Sequence, residues 1–411
     1  MSAPGRPSFG VVGGLSALAG ADVFFKLMKA SLLVDGAQQS DAILEQHPFA
    51  ESIVAGAADA NQFTRKLYVF DMVRSFQTRH VNAVLLPCFI SHTYLDELEA
   101  EIAVPVVNLM AAIRKHVERR HGGVRRIGVL TSDYVRREGL FERHFDAARW
   151  EVVHPRQEIQ RGCLMPAIYG PAGIKSGQLK GEAIALLERC CRDLVAQGVE
   201  LILPGFTEIP VVLDALGDVG VPIVDVNLAY AQHALDAGAS PVERTCKVGV
   251  VGGVGPAATV NFLDKIVRNT QARTDQEHIK LVVEQNPQIP DRTANLVAEG
   301  ADPTIALYAT CKKLEAADAD MIAIPCNTAH AFVERIQPYL RIPIVNMLFE
   351  TIAHVRRHHP DAAQAGLLAT DGTVKSGIYQ EVAERHGVHL VVPDEPYQRM
   401  VMEAIYGACG V

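Results

Sequence analysis

No segment of this 411-residue chain is apolar for long enough to cross a membrane as a helix. Met1 to Phe9 holds one arginine and then enters a strand-like run, so no secretory signal is expected. Basic residues are the minority, 39 Lys and Arg against 47 Asp and Glu, and the net charge of −8 leaves no patch for nucleic acid. The eight cysteines form no C-x-x-C pair and no disulfide-like spacing. Reduced thiols in a cytoplasmic protein are the expectation. A dinucleotide fingerprint is missing as well. Pro256 follows Gly255 directly, which breaks the G-x-G-x-x-G spacing even though Glu284 stands where a ribose could be met.

What is present is the material of a packed α/β protein. Hydrophobic residues make up 49% and charged residues 21%, and 411 residues exceed one ordinary core. The chain also repeats itself. Gly10–Gly14 matches Gly249–Gly253 at an offset of 239 residues, and Pro87-Cys88 matches Pro325-Cys326 at 238. Val104-Pro-Val-Val-Asn108 matches Ile342-Pro-Ile-Val-Asn346 at 238, and Ile168-Tyr-Gly170 matches Ile405-Tyr-Gly407 at 237. Four ordered matches at a nearly constant offset predict tandem modules, residues 1–240 and 246–411, joined by Gly238-Ala-Ser-Pro-Val242.

Within each module, apolar runs alternate with amphipathic segments, which predicts parallel sheets built from βαβ units. In module one the strands are expected near Phe9–Val12, Ala83–Leu86, Arg126–Thr131, Glu151–His154 and Val199–Leu203. Ile127-Gly-Val-Leu130 opens a second series, so two lobes are expected, about 1–118 with 225–240, and 119–224. Asn227–Leu235 reads as a helix returning to the first lobe. Module two would comprise a first lobe of about 246–358 and a partial second lobe, 359–411, of two strands and an unfinished helix. A half-formed sheet exposes backbone and apolar edges, so self-association into a homo-oligomer is expected.

The chemistry concentrates in Met321-Ile-Ala-Ile-Pro-Cys-Asn-Thr-Ala-His330. A buried strand ends at Pro325, and Cys326, Asn327 and Thr328 follow where a helix should begin. Unpaired N–H groups there favour a thiolate or a substrate carboxylate. Cys88 has the same placement with Phe89 beside it. Cys326 and His330 share an i,i+4 face, as do Cys88 and His92, but no further cluster completes a metal site, and none is expected. Arg292, after a strand and beside Pro290, reads as a cleft residue.

Gly252-Gly-Val-Gly-Pro-Ala-Ala-Thr259, Ile289-Pro-Asp-Arg-Thr293 and Pro325-Cys-Asn-Thr-Ala-His330, with Ile168-Tyr-Gly170, Ile174-Lys-Ser-Gly177 and Gly205-Phe-Thr-Glu208 in module one, resemble the aspartate/glutamate racemase family. The resemblance implies two α/β lobes facing across a cleft, no cofactor, and α-proton exchange by one cysteine from each lobe. Carried over residue by residue, it makes Cys326 the acid/base, with Cys88 as a second candidate. Arg292 and Thr293 would hold a carboxylate, while Asn327, Thr328 and Gly253 would bind the other polar atoms of a small amino acid or dicarboxylate. Lys175 and Thr207 would complete the substrate site from the second lobe. The sequence departs from the pattern where module one carries Phe206 in place of the second cysteine and no Ile-Pro-Asp-Arg-Thr stretch between Ser31 and Gln77. Module two lacks the second cysteine altogether. Two functional expectations follow: a cysteine-dependent racemase working at module two, or a catalytically impaired protein that binds a small carboxylate.

Overall fold

The computed structural model describes residues 7–32, 40–49, 58–237 and 245–407. The chain divides into two compact units, Met1–Arg244 and Thr245–Val411. Among the described residues every strand pairing is parallel, which is the mixed α/β, lobed architecture read from the alternating pattern.

In unit 1 the first lobe carries β1 (Ser8–Val12), β2 (Asp41–Glu45) and β3 (Ala83–Leu85) in the order β2-β1-β3. The second lobe carries β4 (Arg126–Thr131), β5 (Glu151–Val153) and β6 (Leu201–Gly205) in the order β5-β4-β6. All five residues of β1 and of β6 are buried, as expected of central strands covered on both faces. β2 escaped the sequence reading because its ends, Asp41 and Glu45, are polar and all five residues are only half-buried at the sheet edge. β6 begins two residues later than the apolar run suggests and extends through Pro204 and Gly205, which pair with Leu130 and Thr131.

The Asn of the repeated Val-Pro-Val-Val-Asn segment has a definite local role. The Asn108 side chain caps the helix Leu109–Arg120 by accepting the Ala111 N–H, and Asn346 caps Met347–His358 by accepting from Leu348 and Phe349. The helix Val226–Ala237 returns to the first lobe and packs on Ala17–Leu32 and Leu109–Arg120. Its fully buried Tyr230 hydroxyl accepts the Leu86 N–H at 2.9 Å and donates to the Val107 carbonyl at 2.6 Å.

Unit 2 repeats the first lobe with β7 (Lys247–Gly252), β8 (Lys280–Gln285), β9 (Met321–Ala323) and β10 (Ile344–Val345), ordered β10-β9-β7-β8. Beyond it stand β11 (Gln364–Gly366) and β12 (His389–Val391), followed by the helix Glu395–Tyr406. Among the described residues β11 pairs with β12 alone, whereas its counterpart β4 is flanked on both sides. Among the described residues nothing in unit 2 covers the face that Tyr230 covers in unit 1. Ile324, Val345, Met347 and Thr351, each 238 residues after Leu86, Val107, Leu109 and Ile113, line a hollow of about 400 Å³. Helix Ala17–Leu32 buries five residues, while its counterpart Pro256–Asn269 buries only Thr259.

One pair of leucines measures the difference. Leu130 is 1% exposed, packed among Leu164, Ile168 and Ile202, while Leu368, at the same place in the repeat, is 74% exposed. Leu130→Ala should therefore cost about 2–5 kcal/mol, and Leu368→Ala should stay within about 0.5 kcal/mol. Urea unfolding of the two variants checks this, and equal losses would contradict it.

Candidate active site

Both candidate cysteines sit on one construction. The strand ends at a proline that cannot donate to the ladder, and the cysteine N–H turns back over it to the residue before. Cys88 N bonds Leu86 O at 2.8 Å, and Cys326 N bonds Ile324 O at 2.7 Å. This three-residue bond is an inverse γ-turn, whose central φ suits proline. The expected α-helix does not start there. Short 3₁₀ segments follow instead, Ser91–Tyr94 and Thr328–Phe332. Their i→i−3 bonds use up the N–H groups of Ser91, His92, Thr93 and His330. Phe89 and Ile90 after Cys88, and Asn327 and Thr328 after Cys326, come ahead of these bonds, where a 3₁₀ segment leaves its opening N–H groups without an intrahelical partner.

In unit 1 a cation also stands beside the sulfur. The Arg65 guanidinium, 3% exposed, donates through Nη1 to Cys88 Sγ at 3.5 Å. Arg65 comes from the helix Ala58–Thr78 and shares its inward stripe with the buried Val69, Met72, Val73 and Phe76. Without an Ile-Pro-Asp-Arg-Thr stretch the sequence did not mark it. The available signal was an arginine at i, i+4, i+7 spacing with core residues.

From the second lobe, Thr207 Oγ1 donates to Pro87 O at 3.0 Å and draws the two lobes together. The carbonyl of Thr207 is held in turn by buried Asn227 of the returning helix. Lys175 lies 3.5 Å from Glu208 and 4.9 Å from the Tyr169 ring, and donates to Leu15 O at 3.4 Å. Burial alone would lower the Lys175 pKa, but Glu208, Tyr169 and Cys88 outweigh it and hold it above the ordinary value. Phe206 meets Tyr169 edge-on at 5.9 Å. Cys88, Arg65, Lys175, Thr207 and Glu208 thus line one narrow cavity of about 20 Å³, roughly the room of one water molecule. A neighbouring hollow of about 270 Å³, walled by Gly14, Ser16, Gln46 and Phe49, shares Tyr169 and Lys175 with it.

In unit 2, Cys326 is partly exposed. Gly253 stands at φ +86°, where a Cβ would lie 2.4 Å from the Asn286 carbonyl carbon, so no larger residue fits. Its N–H donates to Thr259 Oγ1. Arg292 spends Nη1 on the Ile289 and Pro290 carbonyls, while its Nε is buried and unpartnered. Asn327 Oδ1 is likewise buried with no hydrogen bond. Thr328 bonds Thr370 at 3.0 Å and Thr373 at 2.8 Å, and Thr293 reaches Thr370 at 3.3 Å. These hydroxyls tie the first lobe of unit 2 to its partial second lobe.

The histidines divide differently in the two units. His330 Nδ1 donates to Cys326 O, and Nε2 accepts the Met347 N–H, so both ring nitrogens serve the backbone and burial keeps its pKa low. His92 donates Nε2 to Leu86 O and leaves Nδ1 buried without a partner. Among the described residues no group of three or more His, Cys, Asp or Glu gathers to hold a metal, and the seven described cysteines are all free. Burial pushes the Cys191 and Cys311 thiols up to about 12, which marks them as packing residues. No helix among the described residues is long and apolar enough to cross a membrane.

Residues 12–234 and again 251–409 match the family model described as Asp/Glu/Hydantoin racemase. The broad specificity amino-acid racemase RacX of Bacillus subtilis (strain 168) is 32% identical over 164 residues, covering 38% of this chain and 69% of that protein. Picrophilus torridus aspartate racemase shares 33% identity over 39% of this chain and 67% of its own, with a TM-score of 0.36. An aspartate racemase homologue from Pyrococcus horikoshii OT3 is 17% identical over 56% of this chain and 98% of its own, with a TM-score of 0.44.

The His92 ring carries a pH consequence. Burial lowers its pKa from 6.5 to about 4, against the pull of the Leu86 carbonyl. Between those values the unfolded chain takes up a proton that the folded chain refuses, so stability falls as pH drops from about 6.5 towards 4. The loss should approach about 3 kcal/mol, and His92→Gln should flatten it. Denaturant midpoints of the two proteins across this range are the check, and parallel curves would refute it.

Proposed function

Because the chain belongs to the Asp/Glu/Hydantoin racemase family, we propose that it exchanges the α-proton of a small amino acid or dicarboxylate through a cysteine thiolate, without pyridoxal phosphate. Cys326 is the base of unit 2. The supporting observation is a partly exposed thiol at the Pro325 turn, together with two unpaired buried atoms, Arg292 Nε and Asn327 Oδ1. A donor and an acceptor left unsatisfied cost free energy unless a ligand meets them. The carboxylate of an amino acid suits the guanidinium, and its ammonium suits the amide oxygen.

A Cα–H is a very weak acid, so charge developing on the carboxylate side must meet fixed donors. Arg292 supplies the positive charge. Thr293 and Thr328 supply hydroxyls already oriented by Thr370 and Thr373, and Gly253 lets the backbone approach closely. The thiolate removes the proton and the thiol returns one. Lys175 and Thr207 would serve the same substrate class in unit 1.

The test is deuterium incorporation at Cα, followed by proton NMR in D2O with L- and D-enantiomers of aspartate, glutamate and neutral amino acids. The Cys88→Ser variant, with Cys326 as its remaining turn cysteine, should incorporate deuterium. The Cys88→Ser/Cys326→Ser double variant should lose at least about 10²-fold in rate. Undiminished exchange in the double variant would overturn the thiolate. No exchange by the intact chain, with thermal stabilisation by a carboxylate, would make it a binding protein instead.

A further inference from the structure

Unit 1 holds a complete set of reacting groups in spite of Phe206. Cys88 faces the cavity from the first lobe, at the turn after β3, and Arg65 donates to its sulfur. Lys175 faces the same cavity from the second lobe, in the turn Ile174–Ser176. Two basic side chains, Arg65 and Lys175, and the Glu208 side chain share this cavity with the Cys88 sulfur. We infer that unit 1 is itself an acid–base site, in which Cys88 and Lys175 act on opposite faces of an amino acid's Cα. Lys175 then supplies the proton that no second thiol can.

The inference rests on the thiolate reading above and extends it to a second site with a different proton donor. The step balances without an oxidant, a reductant or a cofactor. The Cys88 thiolate takes the α-proton, so the Cα–H bond breaks and an S–H bond forms. The electron pair stays on Cα and spreads into the carboxylate, where Arg65 can meet it. The carbanion then takes a proton from the Lys175 ammonium on the other face, breaking N–H and forming the new Cα–H. Thiol and neutral amine remain, and exchange with water restores thiolate and ammonium.

Two structural features favour lysine in this role. Glu208 and the Tyr169 ring keep the ammonium charged inside the protein, so the donor is loaded before substrate arrives. Lys175 also borders both the narrow cavity and the 270 Å³ hollow beside it. An amino acid coming from that hollow would meet Lys175 as the Thr207–Pro87 contact opens, and would displace the single water's worth of space at Cys88.

A carboxylate-holding lysine and a proton-donating lysine are separated by arginine, which keeps the charge but does not release its proton. The experiment takes the full-length Cys326→Ser chain, which silences unit 2, and follows deuterium incorporation and inversion of the same L- and D-amino acids. Deuterium entry with inversion is expected. In Cys326→Ser/Lys175→Arg, inversion should fall at least about 10²-fold, while deuterium still enters, with retention, the one enantiomer that presents its proton to Cys88. That retained exchange also reports that the variant is folded. Lys175→Gln should behave likewise, and Cys88→Ser should stop both. Inversion unchanged in Lys175→Arg overturns the donor role. Absence of exchange in the Cys326→Ser chain, with exchange present in the Cys88→Ser chain, overturns an active unit 1 and leaves Cys326 standing. Undiminished exchange with both cysteines replaced would remove the thiolate reading on which both sites rest.

Discussion

The turn at Pro87-Cys88, repeated at Pro325-Cys326, is the constraint from which the rest of each unit follows. A proline at the end of a central parallel strand cannot continue the ladder. The bond from the cysteine N–H to the carbonyl two residues earlier then folds the chain sharply off the sheet. The sulfur therefore stands at the carboxyl edge of the strands, where open α/β sheets place their ligands. Two sheets whose surroundings differ greatly keep this turn to within 0.1 Å in its closing hydrogen bond.

What surrounds the turn differs because each unit meets the sulfur with other means. Unit 1 encloses it: Arg65 approaches from a helix that otherwise packs core, and Thr207 bridges to Pro87 from the opposite lobe. Unit 2 leaves it partly open and invests instead in hydroxyls, Thr293, Thr328, Thr370 and Thr373, that hold its partial second lobe in place. Enclosure strengthens electrostatic effects by removing water. In unit 2 the buried Arg292 Nε and Asn327 Oδ1 keep capacity to spare.

The duplication and the parallel α/β lobes were legible in the sequence because they rest on identities and on hydrophobic period, both of which survive in one dimension. The position of the cysteine turn was legible for the same reason, since Pro325 stops a strand whatever surrounds it. The helix expected after Cys326 was not, because 3₁₀ and α-helix starts share the same residue preferences. His330 shows why: its ring caps the Cys326 carbonyl, a contact across one turn that no spacing rule distinguishes from a shared helix face. Arg65 was hidden for a different reason. Its contact with Cys88 depends on a helix meeting a turn 23 residues later. Only tertiary packing brings a long-stemmed cation onto a core stripe. β2, half-buried with acidic ends, carried too weak an alternation to be seen.

The returning helix of unit 1 makes the second lobe an insertion within the first, and Tyr230 fastens that helix to Leu86 and Val107 of the first lobe. Unit 2 has the socket for such a clasp, the hollow at Ile324, Val345 and Met347, but nothing in its described residues fills it. Unequal clasping means unequal cooperativity. In unit 1 the helix that follows the second lobe is bonded to first-lobe backbone at two points and Thr207 bonds Pro87 across the lobes, whereas the helix Glu395–Tyr406 buries none of its residues and can open with little loss of buried surface. Heat or denaturant should therefore take this polypeptide apart in stages, and a single melting temperature has no defined thermodynamic meaning for it.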